Sequence, residues 1–292
     1  MRVRPVPGPR RAALVACLLA LCVGWLPGCA AGRAVSDPSG AARPTIGAGA
    51  TAVRVLQMNL CDSGRADCYS GGRAVSVAAA LVARRRPDVV TLNEVCRADV
   101  DVLERAMSAA SHGAAVASAF EPARDRPTQA PVRCRNGQDF GDGVLAVRAT
   151  AARGFRVHGG LHPVQDPGDV EERVWVCIDL ASQLLACTTH AASTDTAVAL
   201  AQCRHVVSSA ARLARRRHGD EPIIVGGDLN LAAGGSPNPE SCLPPGYHRA
   251  DDGALQHVVV GPGIAVRSRS VIDMDGATDH PGLLVDLAVA RR

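Results

Sequence analysis

The stretch "PIIVGGDLNL", residues 222–231, decides how the chain is read. Ile223, Ile224 and Val225 are β-branched and apolar, the composition of a strand buried in a sheet. Two glycines follow, then Asp228 and Asn230, side chains able to hold a metal ion or a phosphate. Their i, i+2 spacing places both on one face if the backbone stays extended. The same layout recurs along the chain. "VRVLQMNL" (53–60) delivers Asn59, "PDVVTLNEV" (87–95) delivers Glu94, and "LLACTTHAAS" (184–193) delivers His190. "GATDHPGLLVDL" (276–287) carries Asp279 and His280 just before the last apolar run.

Working outward, Val-rich runs predict strands over 52–59, 88–93, 143–148, 172–180, 184–190, 222–226, 255–260, 264–272 and 283–289. Helical periodicity covers 73–86, 97–112 and 194–217. The first helix places Val75, Ala78, Leu81 and Val82 on one face. Strands and helices mixed in this way predict two packed sheets with helices outside. The segment 121–142, "EPARDRPTQAPVRCRNGQDFGD", reads as a long surface loop.

The chemistry these residue types favour is phosphoester hydrolysis. A hard cation such as Mg²⁺ takes oxygen ligands and keeps several waters, so one or two carboxylates suffice to hold it. Glu94 and Asn59 offer such oxygens. Asp228 can accept a proton from water while Asn230 donates to a phosphoryl oxygen. His280 fits an acid/base, with Asp279 or another acid as its partner. Each piece alone also fits a turn, a solvated strand end or a buried histidine. Their joint occurrence, each beside an apolar strand, favours a common site.

The order "MNL", "LNE", "TTH", "GDLN", "TDH" resembles the endonuclease/exonuclease/phosphatase superfamily over about 53–289. That group includes deoxyribonucleases, apurinic-site endonucleases, sphingomyelinases and inositol polyphosphate phosphatases. "FGDGVLAVR" (140–148) resembles a further family segment. The resemblance implies an α+β fold, a four-layer α/β/β/α sandwich of two mainly antiparallel sheets. It also implies hydrolysis dependent on Mg²⁺, with Mn²⁺ or Ca²⁺ as alternatives. Carried over by position, Asn59, Glu94 and Asp279 hold the metal, and Asp228 orients or deprotonates the attacking water. Asn230 steadies the phosphate, His280 is the principal acid/base, and His190 lies near the scissile phosphate. Arg173, in "EERVWVCIDL" (171–180), takes a position where relatives face substrate with an Arg, or else makes a surface salt bridge with Glu171 or Glu172. One departure stands out. In "ALQHVVVGPG" (254–263), Gln256 occupies a place that usually holds the Asp supporting the histidine matched by His190. His190 is then neutral, or Asp251 or Asp252 substitutes.

The N-terminus reads as a targeting segment. Arg2, Arg4, Arg10 and Arg11 precede the apolar run "AALVACLLALCVGWLPGC" (12–29), a signal-peptide h-region. Leu26-Pro27-Gly28-Cys29 resembles a bacterial lipobox with Cys29 lipidated; cleavage near Ala30 or Ala31 is the alternative. Residues 29–50, rich in Ala, Gly and Pro, form a tether, and 51–292 one catalytic domain. Without the leader's four arginines, 28 Arg face 28 Asp plus Glu, so the mature chain is formally neutral. A polyanion must therefore be gripped locally, for which Arg124, Arg126, Arg133 and Arg135 are candidates. The chain has no Lys, which excludes Lys Schiff-base and P-loop chemistry. Seven aromatic residues are too few for base-stacking platforms or a membrane-contact belt.

Eight cysteines remain after Cys17, Cys22 and Cys29, an even set that predicts up to four disulfides in an exported protein. Opposed strands would bring Cys177 against Cys187. No CxxC occurs in the mature chain, which argues against zinc. The sequence thus predicts an exported monomer acting on a phosphoester, nucleic acid foremost. A phospholipid or small sugar-phosphate hydrolase, and a catalytically weakened cell-surface binding module, are the alternatives.

Overall fold

The computed structural model describes residues 49–149, 154–181, 183–217 and 221–290. The expected leader, Cys29 and nearly all of the tether lie outside them. The chain runs β1 (Thr51–Asn59), α1 (Arg73–Arg85), β2 (Val89–Cys96), α2 (Arg97–Ala110), β3 (Val116–Pro122), β4 (Arg124–Asp125) and β5 (Phe140–Val147). There follow β6 (Arg156–Leu161), β7 (Glu171–Glu172), β8 (Val174–Leu180), β9 (Leu184–His190), α3 (Thr196–Arg217) and β10 (Ile223–Asp228). The last strands are β11 (His248–Asp251), β12 (Gln256–Val260), β13 (Ile264–Ile272) and β14 (Gly282–Val289).

Two six-stranded sheets result, ordered β13-β14-β1-β2-β5-β3 and β11-β12-β10-β9-β8-β6. Each is antiparallel except for one parallel pair, β1 with β2 and β9 with β10. Alternation along each strand builds the layers. Val55, Val89, Val144, Ile178, Ala186, Ile224 and Val258 meet between the sheets. On the outer face of the first sheet, Leu56, Met58 and Leu92 pack on Val75, Leu81 and Val82 of α1 and on Leu103 and Met107 of α2. On the outer face of the second, Leu185, Val225 and Val259 pack on Val206, Val207 and Ala210 of α3. Each fully buried Leu or Val contributes roughly 2 kcal/mol. The layering is α/β/β/α, and the predicted face of α1 is buried throughout.

Some strands escape the sequence reading for physical reasons. β3 has Ala117, Ser118 and Ala119 at its centre and ends in Pro122, β6 contains Gly159 and Gly160, and β11 has four residues; all three are sheet edges. The segment 121–142 is correspondingly more ordered than a loop. β3 extends into it, β4 pairs with β7, and Cys134 is tied to Cys96. Disulfides join Cys61–Cys68, Cys96–Cys134, Cys177–Cys187 and Cys203–Cys242. Cys177 and Cys187 are direct cross-strand partners with Cα atoms 4.0 Å apart, as expected. No helix among the described residues is long and apolar enough to cross a membrane.

Candidate active site

The inter-sheet layer changes character at one end. On β1 the inward series is Val55, Gln57, Asn59; on β2 it is Val89, Thr91, Asn93; on β9, Ala186, Thr188, His190. On β10 it is Ile224, Gly226, Asp228, while β12 begins with Gln256, and on β5 Asp142 follows Phe140, before each turns apolar. Both parallel pairs therefore end, at their carboxyl termini, in polar side chains that face each other across the sandwich. Asn59 lies level with Asn93, and Asp228 with both His190 and Gln256. Gly226 permits the approach: a Cβ there would lie 2.1 Å from Thr91 Oγ1 of the opposite sheet.

Buried polar groups must find partners, and here they find one another. Asn93 Oδ1 accepts from the Asp228 backbone N–H (2.8 Å) and from Gln57 Nε2 (2.7 Å). Asn93 Nδ2 donates to Asp142 Oδ1 (2.9 Å), whose other oxygen accepts from the His190 backbone N–H (3.0 Å). Burial pushes the Asp142 carboxyl up to about 7.

Above this network sit the residues singled out from sequence. Asn59 Nδ2 bridges Glu94 Oε1 (2.8 Å) and Asp228 Oδ2 (3.3 Å), while its oxygen accepts from the Cys61 N–H (3.1 Å). Glu94 stands in a β-bulge at φ 54°, a left-handed conformation that lifts its carboxyl out of the ladder. Burial raises both the Glu94 and Asp228 carboxyls; Asn59's donation and Arg173 oppose this at Glu94, and His280 opposes it at Asp228. His280 Nε2 lies 3.6 Å from Asp228 Oδ2 and 3.8 Å from Asp279 Oδ1. Asp279 is half exposed at the rim, and its neighbour Thr278 donates to the Asn59 carbonyl (3.0 Å), pinning this segment to β1.

Three expectations are corrected. Asp228 and Asn230 do not share an extended face: Asn230 is left-handed at φ 49°, and its N–H caps Asp228 Oδ1 (3.0 Å) in a turn. Its amide donates to the Ala191 carbonyl (2.8 Å), which holds it beside His190. Gln256 does not face His190; it donates to Asp228 Oδ2 (2.7 Å) and lies 3.3 Å from His280 Nδ1. Asp251 does not substitute at His190 either, since it is paired with Arg249 and Arg269. His190 meets Arg173 instead, Nη1 to Nδ1 at 2.9 Å. Burial, then the Arg173 charge, hold that imidazole neutral. Arg173 is itself buried, with Glu171 Oε1 at 3.0 Å and Asp169 Oδ2 at 3.1 Å.

Sequence reasoning missed Gln57, Thr91, Asn93, Asp142 and Thr188. The available signal was their parity: each lies on the same face of its strand as an inward apolar residue, Val55, Val89, Val144 or Ala186.

The donor set suits a hard divalent cation. It offers the carboxylate oxygens of partly buried Glu94, buried Asp228 and rim Asp279; Asn59, whose Nδ2 now faces Glu94 and Asp228, would bring its oxygen to a cation by turning its amide over. Among the described residues, two other groups of potential ligand atoms, Cys61–Cys68–Asp279 and Asp62–Cys96–Asp99, contain sulfurs committed to disulfides and offer no thiolate.

Residues 73–280 match the Endonuclease/Exonuclease/phosphatase family. The chain belongs to that family. Its members hydrolyse phosphoesters, generally with divalent metals. The fold is shared with an endonuclease/exonuclease/phosphatase family protein from Bacteroides thetaiotaomicron (TM-score 0.59, 15% identity, 82% of this chain and 96% of that one). It is also shared with the human Nocturnin catalytic domain, solved with bound sulfate (0.59, 16%, 81% and 93%). A third neighbour is ANGEL2, described as a 2',3'-cyclic phosphatase (0.61, 10%, 87% and 100%). A search of curated proteins by sequence returned no match.

Proposed function

We propose that this family member is an exported, divalent-metal-dependent phosphodiesterase of nuclease type. One observation carries the reading: Asn59, Glu94, Asp228, His190 and His280, scattered over more than two hundred residues, converge at the carboxyl ends of both central parallel pairs. Glu94 and Asn59 would hold Mg²⁺, with Asp279 closing the rim; Mn²⁺ or Ca²⁺ fit the same oxygens. The bound cation would neutralise charge on a phosphoryl oxygen. Asp228 takes the proton of the attacking water as that oxygen bonds to phosphorus. The ester P–O bond breaks, and the departing oxygen is protonated from solvent. Asn230 and the two imidazoles contact the phosphoryl group, and Arg173 fixes His190 from behind. Arg124 and Arg135, exposed beside the site-bearing elements, supply local positive charge for a polyanion; Arg126 and Arg133 are already paired with Glu172 and Asp139.

Four disulfides accord with an oxidising compartment and so with export, and a lipid anchor at Cys29 belongs to the same proposal. A second reading, hydrolysis of a small phosphoester, draws on the activity named for ANGEL2. The test is a hydrolysis panel of plasmid DNA, RNA, phospholipid vesicles and small phosphoesters with Mg²⁺, with and without chelator. Nicking of DNA that chelator abolishes supports the first reading. Turnover of small phosphoesters alone supports the second, and no turnover leaves a binding module. On whichever substrate is cleaved, His280→Ala is expected to lose at least ~10²-fold in kcat.

A further inference from the structure

We propose that Gln256 is a positioning residue that sets His280 with its single proton on Nε2, so that His280 serves as a hydrogen-bond donor and not as a base. The catalytic half of this rests on the hydrolase reading above; the structural half does not.

The direction of every amide below the site can be traced from one atom whose role is not negotiable. The Asp228 backbone N–H is a donor only, and it points at the Asn93 side chain at 2.8 Å. That atom of Asn93 is therefore its oxygen. The group 2.7 Å from the same oxygen must also donate, so Gln57 presents its Nε2 there. The Gln57 oxygen then faces the Thr91 hydroxyl, which donates to it. The Gln57 Nε2 makes a second donation, 2.9 Å to Gln256, and so meets the Gln256 oxygen. This leaves the Gln256 NH₂ facing Asp228 Oδ2 at 2.7 Å and His280 Nδ1 at 3.3 Å. Gln57, Thr91, Asn93 and Gln256 are wholly buried, so no water can absorb a reversed amide. Flipping Asn93 or Gln256 would set N–H against N–H, and flipping Gln57 would set its oxygen against two others, all at a buried site.

An NH₂ group directed at Nδ1 requires that nitrogen to be an acceptor. A neutral imidazole then carries its proton on Nε2. That nitrogen faces the reaction centre, 3.6 Å from Asp228 Oδ2 and 3.8 Å from Asp279 Oδ1. A carboxylate at position 256 would do the reverse: it would accept from Nδ1–H and leave Nε2 bare. In this chain His280 presents Nε2–H as a hydrogen bond to a non-bridging phosphoryl oxygen. Asp228 is left as the proton acceptor.

The assignment is read directly by long-range ¹H–¹⁵N NMR on the full chain labelled at histidine, with chelator present and at alkaline pH. His280 is identified by the signals lost in His280→Gln. The expected spectrum has Nδ1 unprotonated and Nε2 protonated. Gln256→Met should erase the preference, and Gln256→Glu should reverse it. A protonated Nδ1 in the unmodified chain, or an unchanged spectrum in Gln256→Met, overturns the proposal. Kinetics give a separate arm. A Gln at 280 can donate but cannot act as a base, so His280→Gln should retain at least ~10-fold more kcat than His280→Ala. Equal loss in both variants overturns the donor role. If no phosphoester is cleaved but the NMR result holds, the hydrolase reading fails and the Gln256 assignment stands.

Discussion

Arg173 shows how a single side chain here carries more than its own charge. Its guanidinium is buried, yet Glu171, Asp169 and the His190 Nδ1 all lie within 3.1 Å of it. Glu171 and Asp169 balance its charge, and the arginine in turn holds His190 neutral. Gln165 fixes the arginine backbone at both ends, accepting from the Arg173 N–H and donating to its carbonyl, each at 2.8 Å. Removing the cation strands two acids in a poorly solvated place. Arg173→Gln is therefore expected to lower unfolding stability by about 3 kcal/mol or more, measured by denaturant titration. A loss below about 1 kcal/mol would mean that water reaches these acids.

Among the elements, the join between α3 and the second sheet is where pH should be felt. His162 follows β6 and is wedged between Thr189 of β9 (Nε2 to Oγ1, 2.8 Å) and His205 of α3 (Nδ1 to Nδ1, 3.0 Å). Burial, with the His205 charge, pushes its pKa from 6.5 down to about 3. The native protein thus refuses a proton that the unfolded chain accepts. The His162 contribution is complete above pH 6.5 and is lost as pH falls toward 3. Asp62 and Asp142, pushed up to about 7 by burial, act in the opposite sense over the same range. The comparison must therefore be with His162→Gln: the Tm advantage of the unmodified chain should shrink steadily on acidification. A constant difference would show that His162 is not held neutral. The disulfides also act between elements. Cys203–Cys242 closes a span of 39 residues and Cys177–Cys187 one of 10. In the chain-entropy account, double Cys→Ala replacement should cost about 4 kcal/mol for the first pair and about 3 kcal/mol for the second. A larger loss for the shorter span, read from denaturant unfolding, would contradict that account.

At the scale of the whole molecule, the site is a polar seam at one end of an otherwise apolar core between two sheets, which Arg269 and Asp251 also join by an ion pair. Glu94 comes from one sheet and Asp228 from the other, joined through Asn59. A cation bound across the seam binds only the assembled sandwich and so stabilises it by mass action. Millimolar Mg²⁺ is expected to raise Tm, and Glu94→Gln to abolish the rise. An equal rise in the variant would place the cation elsewhere.

Much of this was written in the chain itself. Strand and helix positions follow from periodicities of two and 3.6, which depend on neighbours a few residues away, and strands end where Asn59, His190 and Asp228 were read, while β2 runs on past Glu94 through a bulge to Cys96. The Cys177–Cys187 bridge follows from register alone. What the sequence could not specify was which polar side chain meets which across the sandwich. The facing of Gln256 toward His280, the capture of His190 by Arg173, and the left-handed turn at Asn230 each depend on partners from distant strands. Hydrogen bonds are directional and short, so their pairing is settled only when the two sheets close and every buried donor must find an acceptor.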